Sequence, residues 1–374
     1  MSGSTDILAA VFREGSQDAR MEHMQMGDLR EDEVLVRVVG AGICHTDLTC
    51  RSGFMTLPRP IILGHEGSGI VERVGSAVTS VVPGDPVVMT FLSCGACPRC
   101  ESGESSYCFH FMQKNLSGRR ADGSTALTNG DGEVAAHFFG QSSFASHSVA
   151  NQRNVVKVRA DAPLELLGPL GCGVQTGAGS VMNVLRPKPG DALCVFGAGG
   201  VGLSAVMAAV VEGCAPIIVV EPNAARRTLA LELGAHHAID PTTETDLVAK
   251  LKSITGGIGI NHAVDTCGIP AVISQGLSAL APRGQIVLLT GASMEASVPL
   301  PLLPMLSLGV RIHCVNEGSS EPQTFIPRLV DLIMEGRFPL DRLVKYYPFA
   351  EINLALEDQE HGKAIKPILR LQAA

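Results

Sequence analysis

The run "CGACPRCESGESSYC" places Cys94, Cys97, Cys100 and Cys108 at C-x2-C-x2-C-x7-C spacing. Four thiolates in a polar loop suit a closed tetrahedral Zn²⁺ site. With every position filled by protein, that site is structural rather than catalytic. An iron–sulfur cluster is the alternative chemistry. Upstream, "GICHTDLTC" (Gly42 to Cys50) sets Cys44 beside His45, then Thr46, Asp47, Thr49 and Cys50. Each of these residue types can bind a metal, move a proton or hold a cofactor. In an extended chain, neighbouring side chains point to opposite sides. One of the Cys44–His45 pair is then expected to face a metal and the other something else. Two further metal-ligand types sit in glycine-rich turns, His65 in "GHEGSG" and Cys172 in "GCGVQTG".

A different chemistry is written in "FGAGGVG", where Gly197, Gly199 and Gly202 form G-x-G-x-x-G. The first glycine permits a tight turn and the second lets a pyrophosphate approach the backbone. The third lets helix and strand pack closely, and the helix N-terminus offers its N–H groups to the phosphates. Glu221 ends the next apolar run, "IIVVE", at the spacing expected of the acid that accepts from the adenosine ribose. A carboxylate there repels a 2′-phosphate, so NAD is expected over NADP. Arg226 and Arg227 follow on the next helix. They read as solvated helix surface, although Arg226 would reach the cofactor if it folded back.

These residues need elements to position them. "EVLVRVV" (Glu33 to Val39), "GIVERVG" (Gly69 to Gly75) and "DPVVMT" (Asp85 to Thr90) read as strands. Residues 92 to 132 read as long loops without a core of their own. From about residue 190, strands and helices alternate regularly through "QIVLLTG", with "AVISQGLSALAPRG" as one of the helices. That alternation predicts a doubly wound parallel sheet. Beyond Cys314 a helix is expected at "FIPRLVDLIMEG", followed by an irregular tail. The apolar stretch Ala192 to Val211 is long enough for a membrane span, but its glycines divide it into strand, turn and helix.

The chain has 374 residues, 45 % of them hydrophobic and 18 % charged, which predicts a globular protein of two domains. Net charge is −8 and no Lys/Arg block stands out, so neither nucleic acid nor an anionic membrane is an expected partner. The start lacks a basic region followed by an apolar core, which points to the cytoplasm. Eleven cysteines, an odd count in that context, argue for metal binding rather than a disulfide framework. Cys50, Cys194, Cys214, Cys267 and Cys314 read as small buried hydrophobes. The histidines other than His45 and His65 read as surface or satisfied core residues.

Taken together, "GICHTDL", "GHEGSGIVERVG", "CGACPRC…C", "GCGVQTG", "FGAGGVG" and "GKAIKPIL" resemble the zinc-dependent, medium-chain alcohol dehydrogenases over nearly the whole chain. "HFFGQSSFASH" and the C-terminal segment most resemble the aryl-alcohol (benzyl-alcohol) branch. The resemblance implies an α/β protein: a doubly wound Rossmann domain over 174–315 and a β-rich, GroES-like catalytic domain from 1–173 and 316–374. It implies NAD and two Zn²⁺ per subunit, one catalytic on Cys44, His65 and Cys172, one structural on the four-cysteine loop. Glu66 then takes the place of a carboxylate that can approach the zinc, and Asp47 that of the acid orienting the histidine ligand.

By the same resemblance His45 lies against the cofactor pyrophosphate, with the backbone of Gly200 and Val201 at the helix opening. Lys366 takes the position of a basic phosphate contact, and Thr176 lies near the nicotinamide. Thr46 accepts the alcohol proton. Thr49 stands where many relatives carry a histidine, so the relay is expected to end in water. The implied activity interconverts small, apolar primary aromatic or allylic alcohols of the benzyl-alcohol type and their aldehydes by hydride transfer, with Met55, Phe91 and Phe138 as candidate pocket residues. Geraniol-type terpenols or a glutathione-linked formaldehyde substrate are the alternatives, and a non-catalytic NAD-binding protein is the alternative class. The apolar run Ser297 to Val315 is expected either in the core or at a subunit edge of a homodimer or homotetramer.

Overall fold

The computed structural model describes residues 6–290, 293 and 295–371. By contacts the chain divides into two compact units. One holds the chain up to Cys172, Glu321–Glu335 and the chain from Leu340 onward. The other holds Gly173–Ser320 and Gly336–Pro339. The expected boundary at 315/316 therefore falls later, at Ser320, because the turn after the last strand of the second unit packs on that unit's own first helix.

In the first unit, β1 (Asp6–Phe12), β2 (Ala19–Met26), β3 (Glu33–Gly42) and β4 (Ile61–Ile62) are followed by β5 (Glu66–Val74) and β6 (Pro86–Met89). A short hairpin of β7 (Leu127–Asn129) and β8 (Gly132–Val134) and the strands β9 (His147–Asn151) and β10 (Val155–Lys157) complete this part. Helices α1 (His45–Arg51), α2 (Pro98–Glu101) and α3 (Phe111–Leu116) interrupt them. One sheet runs β4-β1-β2-β7-β8, all pairs antiparallel. In the other, β3 pairs with β5 along one edge and with β9 at Glu33–Arg37 along the other. Covered on both sides, β3 carries a nearly unbroken apolar run, "EVLVRVVGAG". The segment 92–132, expected as loops throughout, contains α2, α3 and the hairpin.

The second unit opens with α4 (Gly173–Gly179). Then β11 (Leu193–Phe196), α5 (Gly200–Val211), β12 (Ile217–Val220), α6 (Ala224–Glu232), β13 (His237–Ile239) and α7 (Leu247–Ile254) alternate. They are followed by β14 (Ile260–Asp265), α8 (Pro270–Ala279), β15 (Leu280–Leu288), α9 (Leu302–Leu308) and β16 (Arg311–Cys314). The strands pair in parallel in the order β13-β12-β11-β14-β15-β16. That order reverses direction between β11 and β14, the switch point of a doubly wound sheet. One boundary differs from expectation. Leu280–Gly284, read as the end of a helix, belongs to β15, where Leu280 pairs with Ile260 ahead of a register shift. No helix among the described residues is long and apolar enough to cross a membrane; Ala192 to Val211 is strand, turn and helix as read.

The tail, expected to be irregular, is ordered. After α10 (Pro322–Met334), β17 (Val344–Pro348), α11 (Ile352–Glu360) and β18 (Lys366–Arg370) return to the first unit. There β18 pairs with β17 in parallel and with β3 antiparallel at Gly40–Gly42. It thereby closes the half of the β3 edge that β9 leaves open.

Candidate functional site

The ligand-bearing segments of the first unit are tied together by buried side chains. Cys44 is the N-cap of α1, extended at φ −116°, ψ 159°. The expected extended run therefore stops there, and His45 onward is helical. The outcome for the pair is still divergent: His45 is exposed, whereas Cys44 belongs to a cluster with His65, Glu66 and Cys172 whose ligand atoms all lie within 4.8 Å of one another. Gln141, fully buried, donates to the carbonyls of His65 (3.0 Å) and Thr90 (3.2 Å) and accepts from the Gly67 amide (3.1 Å). The Thr90 hydroxyl donates to the carbonyl of Gly171, next to Cys172, at 2.7 Å. Three separate stretches of chain are thus locked in register around one point.

Asp47 orients the imidazole. Its Oδ1 accepts from His65 Nδ1 (3.0 Å) and the Gly64 amide (3.1 Å), and its Oδ2 from the Cys44 amide (2.9 Å). With Nδ1–H so committed, Nε2 carries the lone pair. That buried Nε2 finds no hydrogen-bond partner, which a buried polar atom rarely tolerates. An imidazole nitrogen beside two thiols fits a Cys₂His metal centre, with the Glu66 carboxylate within reach of the fourth position. The electrostatics at Cys44 agree. Cys172, then His65 and Lys366, hold the Cys44 thiol well below its ordinary pKa against the opposing effect of burial. Burial disfavours charge on His65, yet Asp47 and Cys44 raise its pKa well above the usual value.

Lys366, expected at a cofactor phosphate, is engaged by Glu66. Its ammonium donates to both carboxylate oxygens of Glu66 (2.9 and 2.8 Å) and to the Ile43 carbonyl (3.1 Å). Three acceptors saturate three N–H donors, and the side chain is buried. Burial pushes the Glu66 carboxyl up to about 7 against the pull of Lys366. Lys366 thus keeps a carboxylate inside the cluster.

Aromatic rings surround the imidazole. Phe139 stacks on His65 (centroids 4.5 Å apart, planes at 28°) and Phe138 meets its edge at 5.5 Å. Phe111 reaches Phe139 at 6.4 Å and Phe91 reaches Phe111 at 5.6 Å. Phe139 adopts φ +52°, costly for a bulky residue. Met55, half-buried, packs on the same core and meets Cys50 sulfur to sulfur at 3.8 Å. Thr46 is half-buried, its hydroxyl 3.8 Å from Cys44 Sγ. The Thr49 hydroxyl donates back to the His45 carbonyl one turn earlier (3.0 Å). Phe139 and Gln141 lie in "HFFGQSSFASH", read only as a branch resemblance, and Phe111 has no motif around it; sequence reasoning gave none of the three a role.

The four-cysteine loop forms a second cluster. Cys97 and Cys94 sulfurs approach that of Cys100 at 3.5 and 3.8 Å. Cys108 Sγ accepts from the amides of Cys94 (3.3 Å) and His110 (3.4 Å), and the backbone at Phe109 and Cys100 pulls the Cys97 thiol down to about 6. Amide donors on sulfur stabilise thiolates, the form that binds zinc. None of the eleven cysteines is in a disulfide. Cys50, Cys194 and Cys214 are buried as expected, but Cys267 is half-buried and Cys314, on the edge strand β16, is exposed.

In the second unit the three motif glycines divide their work as expected. Gly197 has φ +95°, and a Cβ at Gly202 would collide with the Gly197 carbonyl. A Cβ at Gly199 would meet nothing within 4 Å. The backbone at Gly199 thus opens onto free space at the start of α5, the cradle a pyrophosphate requires. Glu221 Oε2 accepts from the Ala198 amide (2.7 Å) and Oε1 from the Asn223 amide (2.9 Å), which fixes the carboxylate beside the turn with a lone pair on each oxygen to spare. Arg226 lies in α6 with a buried Nε that no group accepts from. Arg227, read as solvated surface, is tied to the Glu221 and Pro222 carbonyls and to Asp240.

Residues 30–160 match the family description "Alcohol dehydrogenase GroES-like domain", and residues 200–335 match "Zinc-binding dehydrogenase". A geraniol dehydrogenase of Castellaniella defragrans is 49 % identical over 99 % of this chain and 100 % of its own length. The crystal structure of an alcohol dehydrogenase zinc-binding domain protein from Burkholderia ambifaria superposes with a TM-score of 0.97 at 47 % identity, covering 99 % of this chain and 100 % of that one. That of benzyl alcohol dehydrogenase from Acinetobacter calcoaceticus gives 0.94 at 42 % identity, covering 98 % and 100 %.

Proposed function

Because the chain belongs to the zinc-dependent, medium-chain alcohol dehydrogenases, we propose that it interconverts primary aromatic or allylic alcohols and their aldehydes with NAD. The observation that carries the substrate class is the ring cluster of Phe91, Phe111, Phe138 and Phe139 built around His65. Flat unsaturated carbon packs well on such faces. A geraniol and a benzyl alcohol dehydrogenase among the relatives support both members of that class.

Cys44, His65 and Cys172 would hold the catalytic zinc, and Cys94, Cys97, Cys100 and Cys108 a structural one. When bound, the catalytic metal supplies Lewis acidity toward an alcohol oxygen, and NAD supplies the hydride acceptor. The chain's own residues do the rest. Asp47 fixes the tautomer and direction of His65. The paired Glu66 and Lys366 keep a charge-balanced carboxylate beside the ligands. The aromatic rings exclude water and hold the substrate's carbon skeleton. Thr46 takes the alcohol proton at its hydroxyl oxygen. The Thr49 hydroxyl is engaged by the His45 carbonyl, so the proton leaves through solvent. Thr176 and His45 are assigned to the nicotinamide and pyrophosphate ends of the cofactor. Glu221 supports NAD over NADP, since a fixed carboxylate repels a 2′-phosphate.

Replacing Phe139 by alanine tests the substrate assignment. It is expected to lower kcat/KM for benzyl alcohol at least about tenfold while leaving that for ethanol within about threefold. Equal losses for both would remove the aromatic argument. We further propose a homodimer or homotetramer joined at β16, the sheet's edge strand, and at α9. There Leu302, Leu303 and Leu306 are 67, 75 and 78 % exposed, an apolar surface expected to be covered. A monomeric mass by sedimentation would exclude it. Eleven cysteines without a disulfide fit a cytoplasmic setting, and secretion in cell fractionation would contradict it.

A further inference from the structure

Immediately after β16 the backbone makes a turn that L-residues avoid. Glu317, Gly318 and Ser319 have φ of +48°, +65° and +46°, three left-handed residues in succession, two of them not glycine. Each such residue costs about 1 kcal/mol or more. The turn is held by α4: a Cβ on Gly318 would collide with the Gln175 carbonyl, and one on Gly179 with the Gly318 carbonyl. Asn183 donates to the Gly318 carbonyl (3.2 Å) and Ser320 to Gln175 Oε1 (2.7 Å). The result places the Glu317 carboxylate in a buried position, its Oε2 3.4 Å from both Gln175 Nε2 and Thr176 Oγ1. The strained backbone thus carries an acid into the interior, where an apolar side chain would pack without the desolvation cost.

The topology says what this acid faces. In an open parallel sheet the ligand lies outside the carboxyl ends of the strands, across the switch point. Here the glycine turn follows β11 and Glu221 follows β12, so the adenosine half lies on the β12 side. The other half of a dinucleotide must run over β14, β15 and β16, and Glu317 follows β16 by three residues. Helix α4, which carries Thr176, approaches the pyrophosphate turn directly: a Cβ on Gly177 would collide with the Val201 carbonyl.

We propose that Glu317 is a positioning residue that discriminates the redox state of the cofactor. The oxidised nicotinamide ring is a cation and the reduced ring is neutral, so a buried carboxylate on that side favours NAD⁺ over NADH. The proposal rests on the reading of this unit as an NAD site. It gives the enzyme a means of releasing NADH while retaining affinity for NAD⁺.

The test measures equilibrium dissociation constants, NADH by fluorescence titration and NAD⁺ by calorimetry, for the wild type, Glu317→Gln and Glu317→Gly. Glycine tolerates φ +48°, so the second variant removes the charge while relieving the strain. Both variants are expected to bind NAD⁺ at least about tenfold more weakly, since one charge acting across about 10 Å at an effective dielectric of about 20 already gives that much. Their NADH affinity should change less than about twofold, and Glu317→Asp should keep most of the wild-type ratio. If both cofactor forms weaken by the same factor, or the ratio is unchanged, Glu317 has no such role. If the wild-type protein binds neither form, the cofactor reading itself is wrong.

Discussion

Asp47 ties together three groups of the Cys44–His65 cluster, and Asp47→Asn isolates its contribution. The carboxylate accepts three hydrogen bonds, two at one oxygen and one at the other, from His65, Gly64 and Cys44. An amide of the same shape accepts at only one end. Its NH₂ must face either the Cys44 amide or the pair formed by Gly64 and His65, donor against donor. One or two buried donors are then left unsatisfied at about 1–3 kcal/mol each, for a loss of about 2–4 kcal/mol. The His65 ring also loses the partner that fixes its tautomer, which in metal centres costs about 10–100-fold in affinity. Competitive titration of zinc against a chromophoric chelator reads the second effect, and thermal unfolding of the metal-free protein reads the first. A variant that binds zinc within threefold of the wild type would show that His65 is oriented by something other than Asp47.

Two further outcomes follow from the packing. A methyl at Gly202 collides with the Gly197 carbonyl, whereas one at Gly199 meets nothing; Gly202→Ala should therefore destabilise the fold by about 3 kcal/mol or more. Gly199→Ala should fold normally yet bind NAD⁺ at least about tenfold more weakly, and denaturant unfolding with calorimetry separates the two. His137 accepts the Ala126 amide at Nε2, and burial, reinforced by Arg120 and Arg30, pushes its pKa down to about 3. Its folded pKa lies below the unfolded value, so its contribution is complete above about 6.5 and is lost as pH falls toward about 3. Other groups titrating between pH 6.5 and 5 are common to both proteins, so His137→Gln should lose less stability than the wild type over that interval; parallel losses in a urea series would count against it.

What local spacing encodes was readable before any coordinates. The four cysteines, the glycine turn and the Cys44, His65 and Cys172 motifs each sit in short runs whose chemistry needs that order. Pairings between distant residues were not readable. The strand β18 pairs with β3 across more than three hundred residues of chain, and nothing in "KPILR" announces that partner. For the same reason Lys366 looked free for a phosphate, when the strand places it on Glu66. Backbone strain is equally silent in sequence: Phe139 and Glu317 occupy conformations their residue types disfavour, held there by neighbours from other elements. Leu280–Gly284 continued an apolar pattern that suits helix and strand alike, and the parallel partner β14 decides it.

The substrate claim has one direct measurement: initial rates of NADH formation by the zinc-loaded protein with benzyl alcohol, geraniol, ethanol and hydroxymethylglutathione. Substrate packing on the ring cluster, as proposed, should give kcat/KM for benzyl alcohol and geraniol at least about a hundredfold above ethanol, a difference of about 3 kcal/mol in transition-state binding, with no turnover of the charged glutathione adduct. Preference for ethanol or for hydroxymethylglutathione, or no NADH from any of the four, would contradict the account.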